Sequence, residues 1–151
     1  MPPEDQARQE IDRQLAAAGW EVQDHRTMNL SAPAVAVREF PLITGSADYM
    51  LYVDGKALGV VEAKAVGHTL TGVEVQSEKY TTGLPPALPA WHRPLPFAYE
   101  STGTETQFTN ALEPDFRSRL VFTFHRPEEL RRLAILGEQL RSRLRHMPPL
   151  D

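Results

Sequence analysis

The sequence predicts an α/β domain in which a mixed central β-sheet is flanked by helices. Apolar residues recur at helical spacing near both ends of the chain, segments of alternating apolar residues fill most of the middle, and a strong hairpin signal joins two of these segments. The 151 residues, 41% of them hydrophobic, suit one domain with a single core. We therefore expect a helix, then mostly strands with one inserted helix, then a closing helix.

The first two elements follow from spacing and from the residues that interrupt it. Apolar residues at helical spacing precede Gly19 and predict a helix over residues 4–18. After a polar stretch, the alternation in residues 35–40 predicts a strand, which Pro41 ends or places at a sheet edge.

Two adjacent strands make the clearest structural prediction. Residues 47–53 and 57–64 have the composition of strands, and Asp54, Gly55 and Lys56 between them are typical of a tight hairpin turn. The sequence therefore predicts that these two strands pair with each other.

The second half of the chain predicts the remaining elements. We expect a helix over about 70–82, a proline-rich surface loop over 84–96, a second hairpin from 96–100 and 107–109 around Gly103, a strand over 119–124 and a helix from Glu128 to about Arg145. Neither an internal repeat nor a low-complexity tract interrupts this order.

Charged residues interrupt the apolar first hairpin at one end. Because side chains alternate faces along a strand, Glu62 and Lys64 are expected to share a face with Leu58 and Val60. Asp48 interrupts the facing strand in the same way. Charges at the end of strands that are apolar on both faces are costly unless they are paired or bind a metal.

Whether Asp48 and Glu62 share a face depends on the loop between their strands. A two-residue loop would pair Asp48 with Val61 and put the two carboxylates on opposite faces, whereas a three-residue loop pairs positions of equal parity. A common active site therefore needs an odd-length loop, for which Gly55 can supply the positive φ of a bulged turn.

Two carboxylates on neighbouring strands suit a hard divalent cation such as Mg²⁺, or Mn²⁺, which takes oxygen ligands together with water and phosphate. Lys64, on the same face as Glu62, is suited to hold an attacking water or to offset charge that develops on phosphate oxygens. The alternative is a partly buried ion-pair cluster with no catalytic role.

The net charge of −4 is unusual for a protein that binds DNA on its own. The last third nevertheless predicts either a local basic face or an ordinary solvated helix surface. Its arginines are Arg117, Arg119, Arg126, Arg131, Arg132, Arg141, Arg143 and Arg145.

Composition excludes several other classes of site. Without cysteine there is no disulfide, thiolate zinc site or thiol nucleophile, and no nucleophile-elbow pattern of a serine hydrolase occurs. No segment approaches the roughly 18 apolar residues of a membrane span, and the polar, acidic start is unlike a signal peptide. We expect a cytoplasmic protein with no membrane partner.

The segment from Gly45 to Lys64 resembles the D…ExK core of the amino-terminal nuclease domain in the restriction (R) subunit of type I restriction-modification enzymes. This family belongs to the PD-(D/E)xK superfamily, with the RecB-like nucleases. The likeness extends to Ala18-Gly19-Trp20, Arg38-Glu39-Phe40, Gln76 with Tyr80, and Phe124-His-Arg-Pro-Glu128.

The resemblance implies a restriction-endonuclease-like fold and a Mg²⁺-dependent deoxyribonuclease that cuts double-stranded DNA. It implies catalytic roles for Asp48, Glu62 and Lys64, and for Gln76 and Tyr80, which match the Q-x-x-x-Y pair that follows the catalytic strand in the family. The alternative for the last two is a solvated glutamine and a core tyrosine.

A third acid is a further expectation for the metal site. Relatives in the wider superfamily place a helical acid near the metal, and Glu10 lies beside the apolar stripe of the first predicted helix. A surface salt bridge is the alternative for Glu10. His68 and His125 have no partner at ligand spacing, and we expect them at the surface or in the core.

In the family, recognition of DNA belongs to modification and specificity subunits, and the R subunit continues into an ATP-driven translocase. The sequence has no glycine-lysine phosphate loop, so ATP would act only through a downstream motor. We therefore expect residues 1–151 to be one nuclease domain cut from a longer chain, the alternative being an unusual stand-alone relative. The alternative function is a catalytically silent module that binds nucleic acid or docks another subunit.

Overall fold

A mixed sheet of seven strands runs through the computed structural model, which describes residues 3–27, 29–43, 45–67, 85–114 and 117–146. The helices are α1 (Pro3–Ala17) and α2 (Pro127–His146), and a short 3₁₀ helix spans His25–Thr27. The strands are β1 (Glu21–Asp24), β2 (Ala34–Leu42), β3 (Gly45–Val53), β4 (Lys56–Ala63), β5 (Phe97–Ser101), β6 (Thr106–Asn110) and β7 (Arg119–Val121).

The strands follow each other in the sheet in chain order, β1 to β7. The pairs β1–β2 and β4–β5 are parallel, and the other neighbours are antiparallel. The sequence prediction of a mixed sheet with flanking helices is thus confirmed. The strand order puts β3 and β4, the strands of the first hairpin, near the centre of the sheet.

The two faces of the sheet are covered differently. One face, called the helix face, packs against Ile11 and Leu15 of α1 and Leu130 of α2. The opposite face, called the loop face, packs against Leu30 and Leu88 from connecting segments. Strands that are apolar on both faces are what such two-sided burial requires.

The helix face contains a hydrogen-bonded network around His125. The indole of Trp20 donates to the carbonyl of His125 at 2.9 Å, and the Tyr99 hydroxyl lies 2.6 Å from Nδ1 of that histidine. The same hydroxyl oxygen accepts the backbone N–H of His125, and the tautomer of the ring sets the direction of its bond with Nδ1. His125 is half-buried, between the surface and core positions expected for it, and burial lowers its pKa.

The strands differ from the prediction at two places, and Pro41 agrees with one of its two alternatives. The strand does not end at Pro41, because β2 continues to Leu42, but β1 accompanies β2 only as far as Arg38, so the proline lies at a sheet edge with one neighbouring strand. The strand predicted over 119–124 stops at Val121. The polar β1 was not predicted.

The remaining predicted elements agree with the structure or lie outside the part described. Both terminal helices and both hairpins are present within one to two residues of their predicted bounds. The helix predicted over 70–82, and with it Gln76, Tyr80 and His68, falls outside the described residues. No helix among the described residues is long and apolar enough to cross a membrane.

Candidate active site

The turn between β3 and β4 has two residues. Val53 pairs with Lys56, and the intervening Asp54 and Gly55 have φ values of 53° and 78°. Two successive positive φ angles define the type I′ turn, whose twist matches that of the strands on either side. The expected odd-length loop was therefore wrong.

A β-bulge in β4 nevertheless restores equal parity. Tyr52 pairs with Ala57 but Leu51 pairs with Gly59, so Leu58 is an extra residue on its strand. Beyond the bulge the pairing continues to Tyr49 with Val61. The pairing ends there, and Asp48 and Glu62 are the next residues on their strands.

The bulge also corrects the face predicted for Leu58. Leu58 packs on the helix face together with Val61, whereas Val60 packs on the loop face. Two residues in sequence therefore point to one side at the bulge, and alternation resumes after it. Glu62, two residues beyond Val60, belongs to the loop face.

The Asp48 carboxylate has a defined partner for each oxygen. Its Oδ2 accepts the backbone N–H of Ala63 at 2.8 Å, and its Oδ1 accepts Nη2 of Arg8 at 2.5 Å. The first bond replaces a main-chain bond where the ladder between β3 and β4 has ended. The second brings a guanidinium from α1 to the candidate site, and the same Arg8 binds Glu39 through Nη1 at 3.3 Å.

Glu62 and Lys64 form an ion pair at the end of β4. The Nζ atom of Lys64 lies 2.9 Å from Oε1 of Glu62, with 22% and 14% of the two side chains exposed. The backbone N–H of Lys64 donates to the carbonyl of Ser101, which extends the pairing with β5. Asp48, which bonds to the backbone of Ala63, and the Glu62–Lys64 pair lie at the same end of β3 and β4, and their catalytic roles stay predictions.

Glu10 lies in a different environment. Its carboxylate accepts a bond from Gln14 at 3.3 Å and pairs with Arg13. Its side chain also packs over Gly103 in the turn between β5 and β6, where an added Cβ would come within 2.9 Å of Glu10. The contacts of Glu10 are those of the surface salt bridge given as its alternative, and its metal role stays a prediction.

Glu100 on β5 is a candidate that sequence reasoning missed. It pairs with Glu62 across the parallel β4–β5 ladder, and only 1% of it is exposed. Phe97 and Tyr99 pack on the helix face and Ala98 on the loop face, so alternation assigns Glu100 to the loop face with Glu62. A carboxylate inside an otherwise apolar strand was the available indication.

The candidate donors suit a small, hard cation. Asp48 and Glu62 offer carboxylate oxygens at one end of β3 and β4, and Asp48 already pairs with the guanidinium of Arg8. Within the residues the structure describes, no group of three or more His, Asp or Glu side chains is arranged to hold a metal ion. The arrangement fits an ion that is completed by water and phosphate oxygens.

A cleft of about 320 Å³ opens beside Asp48 between α1, β2 and β3. Cations and acids both line it. The residues are Asp5, Arg8, Gln9, Asp12, Arg38, Glu39, Asp48 and Tyr49.

Among the described residues of the last third, four arginines form ion pairs on the surface. The pairs include Arg119 with Glu113, Arg126 with Glu128, Arg131 with Asp54 and Arg132 with Glu129. This pattern favours an ordinary solvated surface over a dedicated basic face.

Comparison with solved structures gives a likeness to a fragment of a putative HsdR subunit of a type I restriction enzyme from Vibrio vulnificus. The TM-score is 0.66 at 21% sequence identity, over 92% of this chain and 26% of that chain. This likeness establishes the fold, and the chain spans about a quarter of that chain's length. Comparison with curated proteins gave no match.

Comparison with protein families assigns most of the chain. Residues 4–123 match the family described as the second domain of the type I restriction enzyme EcoKI endonuclease subunit. The matched segment includes Asp48, Glu62, Lys64 and the strands that carry them. The chain belongs to this family of type I restriction endonuclease subunit domains.

Proposed function

We propose that this chain is a metal-dependent nuclease domain that hydrolyses phosphodiester bonds of double-stranded DNA within a type I restriction-modification complex. The observation that carries the proposal is a set of contacts at one end of β3 and β4, where Asp48 accepts the backbone N–H of Ala63 and the neighbouring Glu62 and Lys64 form an ion pair. Membership of a restriction endonuclease subunit family supports the same activity.

Asp48 and Glu62 would hold the ion, Mg²⁺ or Mn²⁺. When bound, such an ion lowers the pKa of a coordinated water and places positive charge beside the phosphate. Asp48 is fixed for this task because the backbone N–H of Ala63 holds one of its oxygens. Glu62 is fixed by the rigid centre of the sheet and by Lys64.

Lys64 contributes a point charge next to the ion site. Its ammonium group can donate hydrogen bonds to an attacking water and to a non-bridging phosphate oxygen as negative charge develops there. Because Lys64 is 22% exposed, it lies at the boundary between the sheet end and solvent, where a phosphate can approach.

The test uses the complete restriction complex. Asp48→Asn, Glu62→Gln and Lys64→Ala are each expected to abolish DNA cutting, while Glu105→Gln, an exposed acid in the turn after β5, is expected to leave it unchanged. Cleavage of a plasmid that carries the recognition sequence is measured beside ATP hydrolysis, which should persist in all four. Full cutting by Asp48→Asn or Glu62→Gln would overturn the proposal.

One observation favours a second candidate, a catalytically silent module that binds nucleic acid or docks another subunit. Both central carboxylates already have cationic partners, Arg8 for Asp48 and Lys64 for Glu62. Such a cluster could be structural. Calorimetric titration of this chain with Mg²⁺ separates the two, because a silent cluster releases no heat that depends on Asp48.

The wider assembly is part of the proposal. We propose that the domain sits in a longer chain whose ATP-driven motor moves DNA, and that specificity and modification subunits choose the site. The net charge of −4 agrees with a complex in which other parts supply most of the DNA affinity. A cytoplasmic location stays a prediction.

A further inference from the structure

Arg8 is the cationic side chain that binds Asp48 in the structure. A metal ion that bound Asp48 would have to displace its guanidinium. This guanidinium is forked between two acids, with Nη2 on Asp48 at 2.5 Å and Nη1 on Glu39 at 3.3 Å. About a third of the Arg8 side chain is exposed, at 31%, so the group reaches the cleft as well as the site. Arginine is the side chain best suited to bind carboxylate and phosphate with two donors at once.

Glu39 is held in an unusual backbone conformation beside this fork. Its φ of 50° lies in the left-handed region, which costs a residue with a Cβ on the order of 1 kcal/mol. The flanking pairs Arg38 with Tyr49 and Phe40 with Ala47 keep the same register, but Phe40 and Ala47 pack on the loop face, so the regular alternation of side chains is broken here. The effect is to present the Glu39 carboxylate to Arg8.

The charge around the cleft depends on what Asp48 binds. Asp5, Asp12, Glu39 and Asp48 face Arg8 and Arg38, so four acids line the cleft against two guanidiniums. A phosphate is repelled by that balance, and a divalent cation at Asp48 would neutralise it. Anion binding in this cleft is therefore expected only together with a metal ion.

We propose that Arg8 is a phosphate clamp that exchanges its partner when the metal site fills. A divalent ion at Asp48 displaces Nη2, while Nη1 stays on Glu39 and keeps the guanidinium in place. The released donor then binds a phosphate oxygen of the DNA backbone in the adjacent cleft. This inference rests on the proposed metal role of Asp48, and it adds a ligand and a residue that the proposed function does not contain.

The test measures metal and DNA binding by this chain, without relying on cleavage. Wild type, Arg8→Gln and Arg8→Lys are titrated with Mg²⁺ by calorimetry, and with labelled duplex at low salt by fluorescence anisotropy in chelator and in Mg²⁺. Gel analysis after each titration verifies that the duplex is intact. Arg132→Gln, which removes an exposed arginine paired with Glu129, is the control for the charge change.

Opposite shifts are expected in Arg8→Gln. Because no guanidinium competes for Asp48, this variant should bind Mg²⁺ several-fold more tightly than wild type. Because it lacks a charge-assisted hydrogen bond to phosphate, its Mg²⁺-dependent gain in DNA affinity should be about tenfold smaller. Arg8→Lys should lie between the two, and Arg132→Gln should match wild type in the size of that gain. Equal Mg²⁺ affinity and an equal DNA gain in Arg8→Gln would overturn the exchange.

Glu39→Gln provides an independent check that leaves Arg8 intact. Removal of the second anchor concentrates the guanidinium on Asp48, so Mg²⁺ should bind more weakly than in wild type, the opposite direction to Arg8→Gln. Unchanged or tighter binding would contradict the fork. Absence of any Mg²⁺ binding in wild type would overturn the metal role of Asp48 and the exchange together, whereas normal binding with unaffected variants would overturn the exchange alone.

Discussion

Asp48 has a structural task as well as the proposed catalytic one, and its variants must be chosen accordingly. Its Oδ2 accepts the N–H of Ala63 where the β3–β4 ladder ends. Asp48→Ala leaves that donor unsatisfied and removes the partner of Arg8, which is expected to cost about 1–3 kcal/mol of unfolding free energy. Asp48→Asn keeps an acceptor for Ala63 and should cost less.

Urea unfolding of the two Asp48 variants checks this difference. Both variants should lose Mg²⁺ binding, because neither side chain carries a negative charge for the ion. The alanine variant should lose more unfolding free energy than the asparagine variant. Equal destabilisation by alanine and asparagine would mean that the bond to Ala63 contributes little.

Glu100 is expected to strengthen cation binding at its neighbour Glu62. Adjacent strands lie about 4.8 Å apart, so a buried carboxylate paired with Glu62 adds negative potential at the site. Glu100→Gln should weaken Mg²⁺ binding measured by calorimetry and leave the circular dichroism spectrum unchanged. The matched variant Glu105→Gln, in the exposed turn, should bind as wild type does; equal loss in both would point to net charge instead.

His125 makes the stability of the fold depend on pH. Burial lowers its pKa in the folded state, so the unfolded chain binds more protons once the pH falls below the usual histidine value of about 6.5. The contribution of neutral His125 is complete above that pH and is lost as the pH falls towards the lowered pKa. In the protonated ring both nitrogens are donors, so Nδ1 can then only donate to the Tyr99 hydroxyl.

Thermal unfolding between pH 7.5 and 5 tests the histidine. The melting temperature of wild type should fall over this range, and His125→Asn, whose side-chain oxygen can still accept from Tyr99, should show a flatter profile. Identical profiles would assign the pH dependence to other groups.

At the scale of elements, β4 and β5 approach closely because Gly59 has no side chain. A Cβ at Gly59 would lie 2.9 Å from the carbonyl oxygen and 3.0 Å from the Cβ of Phe97, so the backbones would have to separate. Gly59→Ala is expected to cost about 1–3 kcal/mol in urea unfolding. Unchanged stability would show that the parallel pair can widen freely.

The elements that the sequence predicted well are those with one clear periodicity. Both terminal helices and the two hairpins follow from spacing and turn residues. β1 was missed because Glu21–Asp24 is short and polar, and its place in the sheet comes from pairing with β2. The path of β2 through Pro41 depends on which edge is free, and a single strand's sequence does not contain that information.

The candidate site was predicted only in part for a related reason. The shared position of Asp48, Glu62 and Lys64 followed from alternation and from the family resemblance, but the prediction assumed the wrong loop. The bulge at Leu58 shifts side chains from one face of the sheet to the other. Because both faces are covered by apolar residues, the hydrophobic pattern of the sequence does not reveal it. Arg8, Glu39 and Glu100 come from other elements and meet the site only through the sheet order.

At the scale of the whole molecule, the chain should bind DNA weakly without its partners. Its net charge is −4, and the described arginines of the last third are largely engaged by acids. A plot of log affinity against log salt in Mg²⁺ is expected to have a slope shallower than about −4, since few phosphates are neutralised. Anisotropy with a labelled duplex measures it, and a much steeper slope would reveal a basic surface that the ion pairs conceal.

The bulge in β4 makes the face on which a residue of this strand lies depend on the number of residues in the turn. One residue added to the turn at Asp54 and Gly55 would move Glu62 to the other face of the sheet, whereas two added residues would leave its face unchanged. A single insertion is tolerated only if Leu58 is simultaneously taken into regular pairing. Among relatives, the sequence interval between these two acids should therefore vary by even steps, and an odd step should coincide with loss of the bulge.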